Sequence, residues 1–235
     1  MPITTVLFDL DGTLLPMDLE VFVKDYLGRI SAKLAPHGYD PKQLVDTIWR
    51  GTGAMVMNDG SKSNEEAFWA LAVAVHGDQI VKDKHLFDRF YEEDFDKIKA
   101  VCGHHPAAAR IVHRLKERGF RVVLATNPIF PARATQWRIQ WAGLKPEDFA
   151  LYTTYENSRY CKPNLNYYRD ILKQLNLKPE ECLMVGNDVG EDMVARELGM
   201  QVFLLTDCLI NKTGADISTY PHGGFDALAQ FLETL

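Results

Sequence analysis

Residues 4–14 run Thr4-Thr5-Val6-Leu7-Phe8-Asp9-Leu10-Asp11-Gly12-Thr13-Leu14, and the change of character at Asp9 decides the fold. Thr4 to Phe8 are β-branched or apolar with no polar alternation, the pattern of a strand buried on both faces of a parallel sheet. The run then breaks into two carboxylates and a glycine. A polar cluster at that position lies at the C-terminal end of the strand, where open α/β sheets gather their ligands.

Downstream, the same rhythm returns three times. Phe120–Ala125 is a strand ending at Thr126-Asn127, Cys182–Gly186 is a strand ending at Asn187-Asp188, and Gln201–Leu205 is a last strong strand. A weak strand is expected at 149–153. Helices are expected from Pro106 to Gly119 and over 131–142, 165–175 and 190–198, with proline early or glycine late in the first of these. Strands alternating with helices define an α/β fold: a Rossmann-like parallel sheet with helices on both faces.

Between the first strand and the rest lies a stretch with no strand signal. Leu19, Phe22, Val23, Tyr26, Leu27, Ile30 and Leu34 recur at helical spacing, Pro41 opens a second helix, and Ser63-Asn64-Glu65-Glu66 forms a capping box before a third. A fourth helix is expected from Lys84 to Asp96. The chain therefore divides into a Rossmann-like core, residues 1–16 and 104–235, and a helical insertion, 17–103.

Composition narrows the function. With 235 residues the chain has room for between one and two domains, and 46% hydrophobic with 25% charged residues is ordinary globular usage. Lys and Arg number 26 against 32 Asp and Glu, a net charge of −6, which lacks the basic footprint that binding a nucleic-acid backbone demands. No apolar run approaches the ~20 residues of a membrane span. Cys102, Cys161, Cys182 and Cys208 form no C-x-x-C pair, so neither a disulfide framework nor a zinc site is expected. No charged start followed by an apolar run opens the chain, and the expected compartment is the cytoplasm.

Each polar cluster has an ordinary reading by itself. D-x-D-G makes a strand-to-turn junction, Thr126-Asn127 caps the next segment, Lys162 is a surface charge, and Asp188 with Asp192 caps a helix. Collected at one sheet edge, they become two acids, a hydroxyl, an ammonium and two more acids. Paired carboxylates repel, and a divalent cation relieves the cost; oxygen donors of this kind suit Mg²⁺. That set composes a phosphoryl-transfer site with one metal.

Asp9-Leu10-Asp11-Gly12-Thr13-Leu14, Thr126-Asn127, Lys162-Pro163 and Gly186-Asn187-Asp188-Val189-Gly190-Glu191-Asp192 resemble the four ordered motifs of the haloacid dehalogenase superfamily. The resemblance spans residues 4 to about 206, and the insertion falls where that family carries a helical cap. It implies that Asp9 is a nucleophile forming an aspartyl-phosphate. Asp11 would protonate the leaving oxygen and then activate water. Thr126, Asn127 and Lys162 would hold the phosphoryl oxygens. Asp9, the Asp11 carbonyl and Asp188 would bind Mg²⁺, with Asp192 supporting that metal site. An acid at position 11 resembles the phosphatases and phosphomutases rather than the dehalogenases. The one departure is Asn187, where many relatives run glycine directly into the acid.

The resemblance thus implies a Mg²⁺-dependent phosphatase for a small phosphorylated metabolite. A phosphomutase using the same nucleophile and a non-catalytic phospho-ligand-binding protein are the alternatives. Substrate identity and oligomeric state are not written in these motifs. Within the insertion, Arg50 to Gly60 reads as a glycine-rich loop joining two helices, and Arg50, Asn58 and Lys62 are the candidate substrate contacts. His104-His105 has no spacing for a metal, and Trp137 with Trp141 reads as core. The turn-rich stretch 207–224 is long for an unstructured connection, and either packing beside the catalytic edge or contact with a second chain would account for it.

Overall fold

The computed structural model describes residues 2–235. Strand β1 (Thr5–Phe8) leads into helices α1 (Leu19–Leu34), α2 (Pro41–Val56), α3 (Asn64–His76), the single turn α4 (Gln79–Lys82) and α5 (Lys84–Glu93). There follow α6 (Pro106–Glu117), β2 (Arg121–Leu124), α7 (Ala132–Trp141), α8 (Leu165–Leu175), β3 (Cys182–Gly186), β4 (Gln201–Leu205), β5 (His222–Gly223) and α9 (Phe225–Glu233).

The five strands lie side by side in the order β2-β1-β3-β4-β5, all parallel. In the register of β1, Leu7 stands beside Val123 on one side and Met184 on the other. Val6 and Phe8 face an apolar layer shared with Ile111 of α6, Ile139 of α7 and Leu228 of α9. Leu7 faces the opposite layer with Tyr167 and Tyr168 of α8. Both faces of the sheet are therefore covered, which is why β1 shows no polar alternation. Val6, Leu7 and Phe8 are wholly buried, each worth roughly 1.5–3 kcal/mol relative to exposure. This is the Rossmann-like α/β architecture.

The helices between β1 and β2 pack on one another through the periodic face of α1, with Phe22, Tyr26, Ile30 and Leu34 inward. Asp18 caps α1 by accepting from the Glu20 and Val21 amides. The capping box at Ser63 and Glu66 forms as its sequence implies. The block is tied to the core at several points: Trp137 Nε1 donates to the Tyr91 carbonyl, Trp141 Nε1 to Asp96, and Asn64 Nδ2 to the Pro128 carbonyl.

Four local expectations are corrected. Arg50 to Val56 is not loop: α2 continues through Gly51 and Gly53, because Gly51 is where the Phe68 ring packs against the helix and leaves no room for a Cβ. Residues 149–153 form only a single bridge, Tyr152 beside Leu124. Of the expected helix 190–198, Met193–Leu198 winds as a 3-10 helix, because Asp188 already turns the chain by accepting from the Gly190 and Glu191 amides. The fourth helix stops at Glu93, and Phe95–Val101 tightens into a 3-10 helix.

The turn-rich stretch packs at the C-terminal edge of the sheet, beside the residues that follow β3. Ile210 exchanges backbone bonds with Asn187 and Val189, and the chain then supplies β5 and α9. All four cysteines are free. Among the described residues, no helix is long and apolar enough to cross a membrane.

Candidate active site

The floor of the site is laid by the turn after β1. The Asp9 amide donates to the Val185 carbonyl at 2.9 Å, extending the pairing with β3 by one residue. The chain then folds back, with the Gly12 amide on the Leu15 carbonyl and the Leu15 amide on the Leu10 carbonyl. Gly12 has φ +81°, and a Cβ there would also collide with the Asn187 side chain, so glycine is required twice over. Thr13 Oγ1 donates to Asn187 Oδ1 at 2.9 Å and lies 3.3 Å from Asp9 Oδ2. Asn187 Nδ2 in turn donates to the Cys208 carbonyl at 2.7 Å. The residue that departs from the family pattern thus couples the β1 turn to the segment after β4.

Lys162 lies fully buried between two carboxylates, its Nζ 2.9 Å from Asp9 Oδ1 and 2.6 Å from Asp192 Oδ1. The second Asp192 oxygen accepts from the Asp188 amide at 3.0 Å. Both Asp192 oxygens are thereby occupied, and its part is to hold Lys162 and the Asp188 turn. Asn127 is also engaged at both ends: Oδ1 accepts from the Lys162 amide at 3.2 Å, and Nδ2 donates to Glu191 at 3.0 Å. Thr126 sits on the cleft wall with Asp9, Asp11 and Asp188, its carbonyl held by the hydroxyls of Thr153 and Tyr167. The structure therefore brings Asp9, Asp11, Thr126, Asn127, Lys162, Asp188 and Asp192 to one edge of the sheet.

Burial works against the Lys162 charge, but Asp192 and Asp9 outweigh it and hold the ammonium well above its usual range. Burial raises the Asp11 carboxyl above its ordinary value, with the Arg138 guanidinium pulling the other way and Asp9 adding to the rise. Burial also raises Glu191, opposed by Lys162. The site is an acid cluster in which each cation is set against specific carboxylates.

Arg138 is the residue the motifs did not announce. It projects from α7, is 0% exposed, and its Nη1 donates to Asp11 Oδ2. Its remaining donors reach Thr135 Oγ1 and the Ala134 carbonyl, and its plane lies 4.6 Å from the Phe130 ring centroid. The sequence held one signal for it: a guanidinium on the face of 131–142 that also carries Ala134, Ile139 and Trp141. A buried arginine needs a partner. Thr13, Asn187 and Glu191 lie inside the quoted motifs, yet their spacing did not reveal their bonds.

Above this floor opens a cleft of about 890 Å³, bounded by α1, α2, the loop after β2 and residues 208–212. The insertion residues expected at its wall stand elsewhere. Arg50 is exposed and pairs with Asp46 at 3.6 Å. Asn58 is buried, donating to the Lys62 carbonyl and to Asn64, and Lys62 is exposed. The α2 residues at the wall are Ile48, Trp49 and Thr52, because helix continuation through Gly51 turns Arg50 outward.

For a cation, Asp9 and Asp188 bring carboxylate oxygens to the cleft lining, and the Asp11 carbonyl is the third donor that the family resemblance implies. Among the described residues, no three His, Cys, Asp or Glu side chains stand as a self-sufficient cage. Two carboxylates and a carbonyl, completed by water and substrate oxygens, is the donor set that fits Mg²⁺ rather than a softer metal.

A parallel sheet whose first strand ends in paired carboxylates, opposite a buried lysine, is the arrangement that comparison with known proteins places in a class. The haloacid dehalogenase-like hydrolase model matches residues 3–199, and the chain belongs to that family. A pyrophosphatase PpaX of Bacillus anthracis is 27% identical over 237 residues, covering 100% of this chain and 97% of its own. Among solved structures, an HAD phosphatase from Thermococcus onnurineus superposes with a TM-score of 0.59 at 17% identity, covering 98% of each chain. A predicted phosphoglycolate phosphatase from Haemophilus somnus gives 0.59 at 18% identity, again over 98% of each. The chain is an enzyme of the hydrolase class.

Proposed function

We propose that the protein is a Mg²⁺-dependent phosphatase that hydrolyses a small phosphomonoester through an aspartyl-phosphate on Asp9. The observation that carries this reading is the placement of Asp9 between Lys162 and Thr13 at the base of an open cleft, with Asp11 two residues on at the same floor. In this reading residues 17–103 act as a cap over the core formed by 1–16 and 104–235.

A carboxylate oxygen of Asp9 attacks phosphorus, the ester P–O bond breaks, and the leaving oxygen takes a proton from Asp11. Asp11, now a carboxylate beside Arg138, removes a proton from water. The resulting hydroxide attacks the same phosphorus, releasing inorganic phosphate and restoring Asp9. Lys162 and Thr126 face the charge that develops on the phosphoryl oxygens. Asn127 holds the Lys162 backbone in register, and Asp192 holds its ammonium. Asp9, Asp188 and the Asp11 carbonyl would hold Mg²⁺, which when bound would supply charge neutralisation for the phosphoryl group. The buried carboxyl of Asp11 is suited to carry a proton, since burial raises its pKa.

The pyrophosphatase name of the Bacillus relatives and the phosphoglycolate phosphatase of the Haemophilus structure both support phosphate chemistry. The test is phosphate release from p-nitrophenyl phosphate with Mg²⁺ and with EDTA, beside Asp9→Asn. Mg²⁺-dependent turnover lost in Asp9→Asn is expected. Full turnover by Asp9→Asn would overturn the assignment.

A further inference from the structure

We infer that the alcohol part of the substrate is uncharged and apolar, of ring size or larger, rather than a second phosphate or a carboxylate. The inference rests on the phosphatase reading and concerns the cleft above its floor. That cleft, about 890 Å³, is far larger than a phosphoryl group needs and falls in the range that holds a whole organic ligand.

Above the floor most of the wall is apolar, broken by Asp18, Glu20, Thr52 and Lys212. Phe22 and Tyr26 of α1 meet Phe130 edge to face, with ring centroids 6.1 and 5.2 Å apart. At the mouth stand Leu19, Trp49 and Leu209, which are 45%, 54% and 37% exposed and come from α1, α2 and the segment after β4. Large apolar side chains scattered singly over a surface need no explanation. Three of them from separate elements rimming one catalytic cleft form a patch that a ligand would cover.

Charge argues the same way. A pyrophosphate or a phospho-carboxylate brings a second anion, which needs a cation or free backbone amides above the floor. Lys162 is engaged by Asp9 and Asp192, and Arg138 by Asp11. The α1 N-terminus faces the cleft, but the Asp18 carboxylate already takes the Glu20 and Val21 amides. Asp18 and Glu20 both line the cleft, against the single ammonium of Lys212. Arg50, next to Trp49, points away to Asp46. A second anion would therefore meet more like charge than opposite charge, whereas an apolar group replaces water on apolar walls.

The test compares linear alkyl phosphates from ethyl to octyl with pyrophosphate and phosphoglycolate. Alkanols share nearly the same acidity, so a trend along that series reads contact with the cleft and not leaving-group chemistry. We expect kcat/KM to rise roughly fourfold for each added methylene until the cleft is filled, with hexyl phosphate well ahead of pyrophosphate and phosphoglycolate. Trp49→Ala and Leu19→Ala, both at partly exposed positions, should each flatten the slope of the series. A flat alkyl series, or pyrophosphate or phosphoglycolate as the better substrate, would overturn the inference. If p-nitrophenyl phosphate is turned over with dependence on Asp9, such a result leaves the phosphatase reading standing. No turnover of any ester would overturn both.

Discussion

Arg138 on α7 donates to the carboxylate of Asp11 across 127 residues of sequence, and the guanidinium has no access to solvent. The pair joins the helix that carries Arg138 to the turn that carries Asp11, the general acid of the proposed reaction. Removing the cation leaves a mostly buried carboxylate uncompensated, which costs about 3 kcal/mol at neutral pH, the low end for such pairs because Asp11 keeps some exposure.

Arg138→Met should therefore lower Tm at pH 7.5, and the loss should shrink at pH 5. Arg138 is the strongest influence opposing the rise of the Asp11 carboxyl, so the variant raises that folded-state value further. A raised carboxyl contributes stability that is present at low pH and lost as pH climbs through its folded value. Thermal unfolding of both proteins at the two pH values checks the sign. Arg138→Lys keeps the charge but forfeits the fork to Thr135 and Ala134, and should fall between the two.

Two glycine substitutions should move stability in opposite directions. Gly28 lies in the exposed interior of α1 with open space where a Cβ would stand, so Gly28→Ala should stabilise by about 0.5–1 kcal/mol. At Gly186 a Cβ would fall on the Asp192 carboxylate. Gly186→Ala should cost roughly 1–3 kcal/mol and reduce turnover, since Asp192 must shift off Lys162. Denaturant midpoints measured beside wild type decide both.

His76 gives a second pH signature. It closes α3, bonds Thr47 Oγ1 through Nε2 at 2.9 Å and stands edge to face with Tyr39. Burial lowers its pKa from 6.5, so the folded state disfavours the imidazolium. The stability it contributes is present above about pH 6.5 and is lost as pH falls toward the depressed folded value. The Thr47 hydroxyl donates to the Gln43 carbonyl, so His76 Nε2 is the donor to its oxygen; His76→Gln keeps a donor for Thr47 but does not titrate. Its Tm should fall less than that of wild type between pH 7.5 and 5.5.

Mg²⁺ should raise Tm as well as activity, because a cation held by Asp9 and Asp188 binds only the folded chain. The gain approaches about 2.7 kcal/mol at a free concentration one hundred times Kd. EDTA should reverse the shift, and Asp188→Asn should abolish it while leaving the Tm measured in EDTA nearly unchanged. A Tm that ignores Mg²⁺ would remove the ion from the site.

What could be read in the chain itself is whatever short-range pattern encodes. The unbroken apolar run before Asp9 determined a strand buried on two faces, and the 3.6-residue repeat from Leu19 to Leu34 determined an amphipathic helix. Ser63 and Glu66 determined a helix start, since a capping box is closed within four residues. The positions of Asp9, Asp11, Thr126 and Asp188 just after strands were enough to place them at one sheet edge, because parallel strands deliver their C-terminal ends to the same side; Lys162, in a loop before α8, joined them only through the resemblance of the ordered motifs.

Partnership across the molecule was decided by the tertiary structure alone. Asn127 has the composition of a phosphate ligand, yet packing commits its amide to Lys162 and Glu191. Arg50 has the charge of a substrate contact, yet continuation of α2 through Gly51 turns it to solvent and puts Trp49 at the cleft. The two-residue β5, the docking of Ile210 against Asn187 and the Arg138–Asp11 pair share the same cause. Periodicity records which side of an element is buried, but which group lies opposite depends on how separate elements pack, and that contact leaves no local trace.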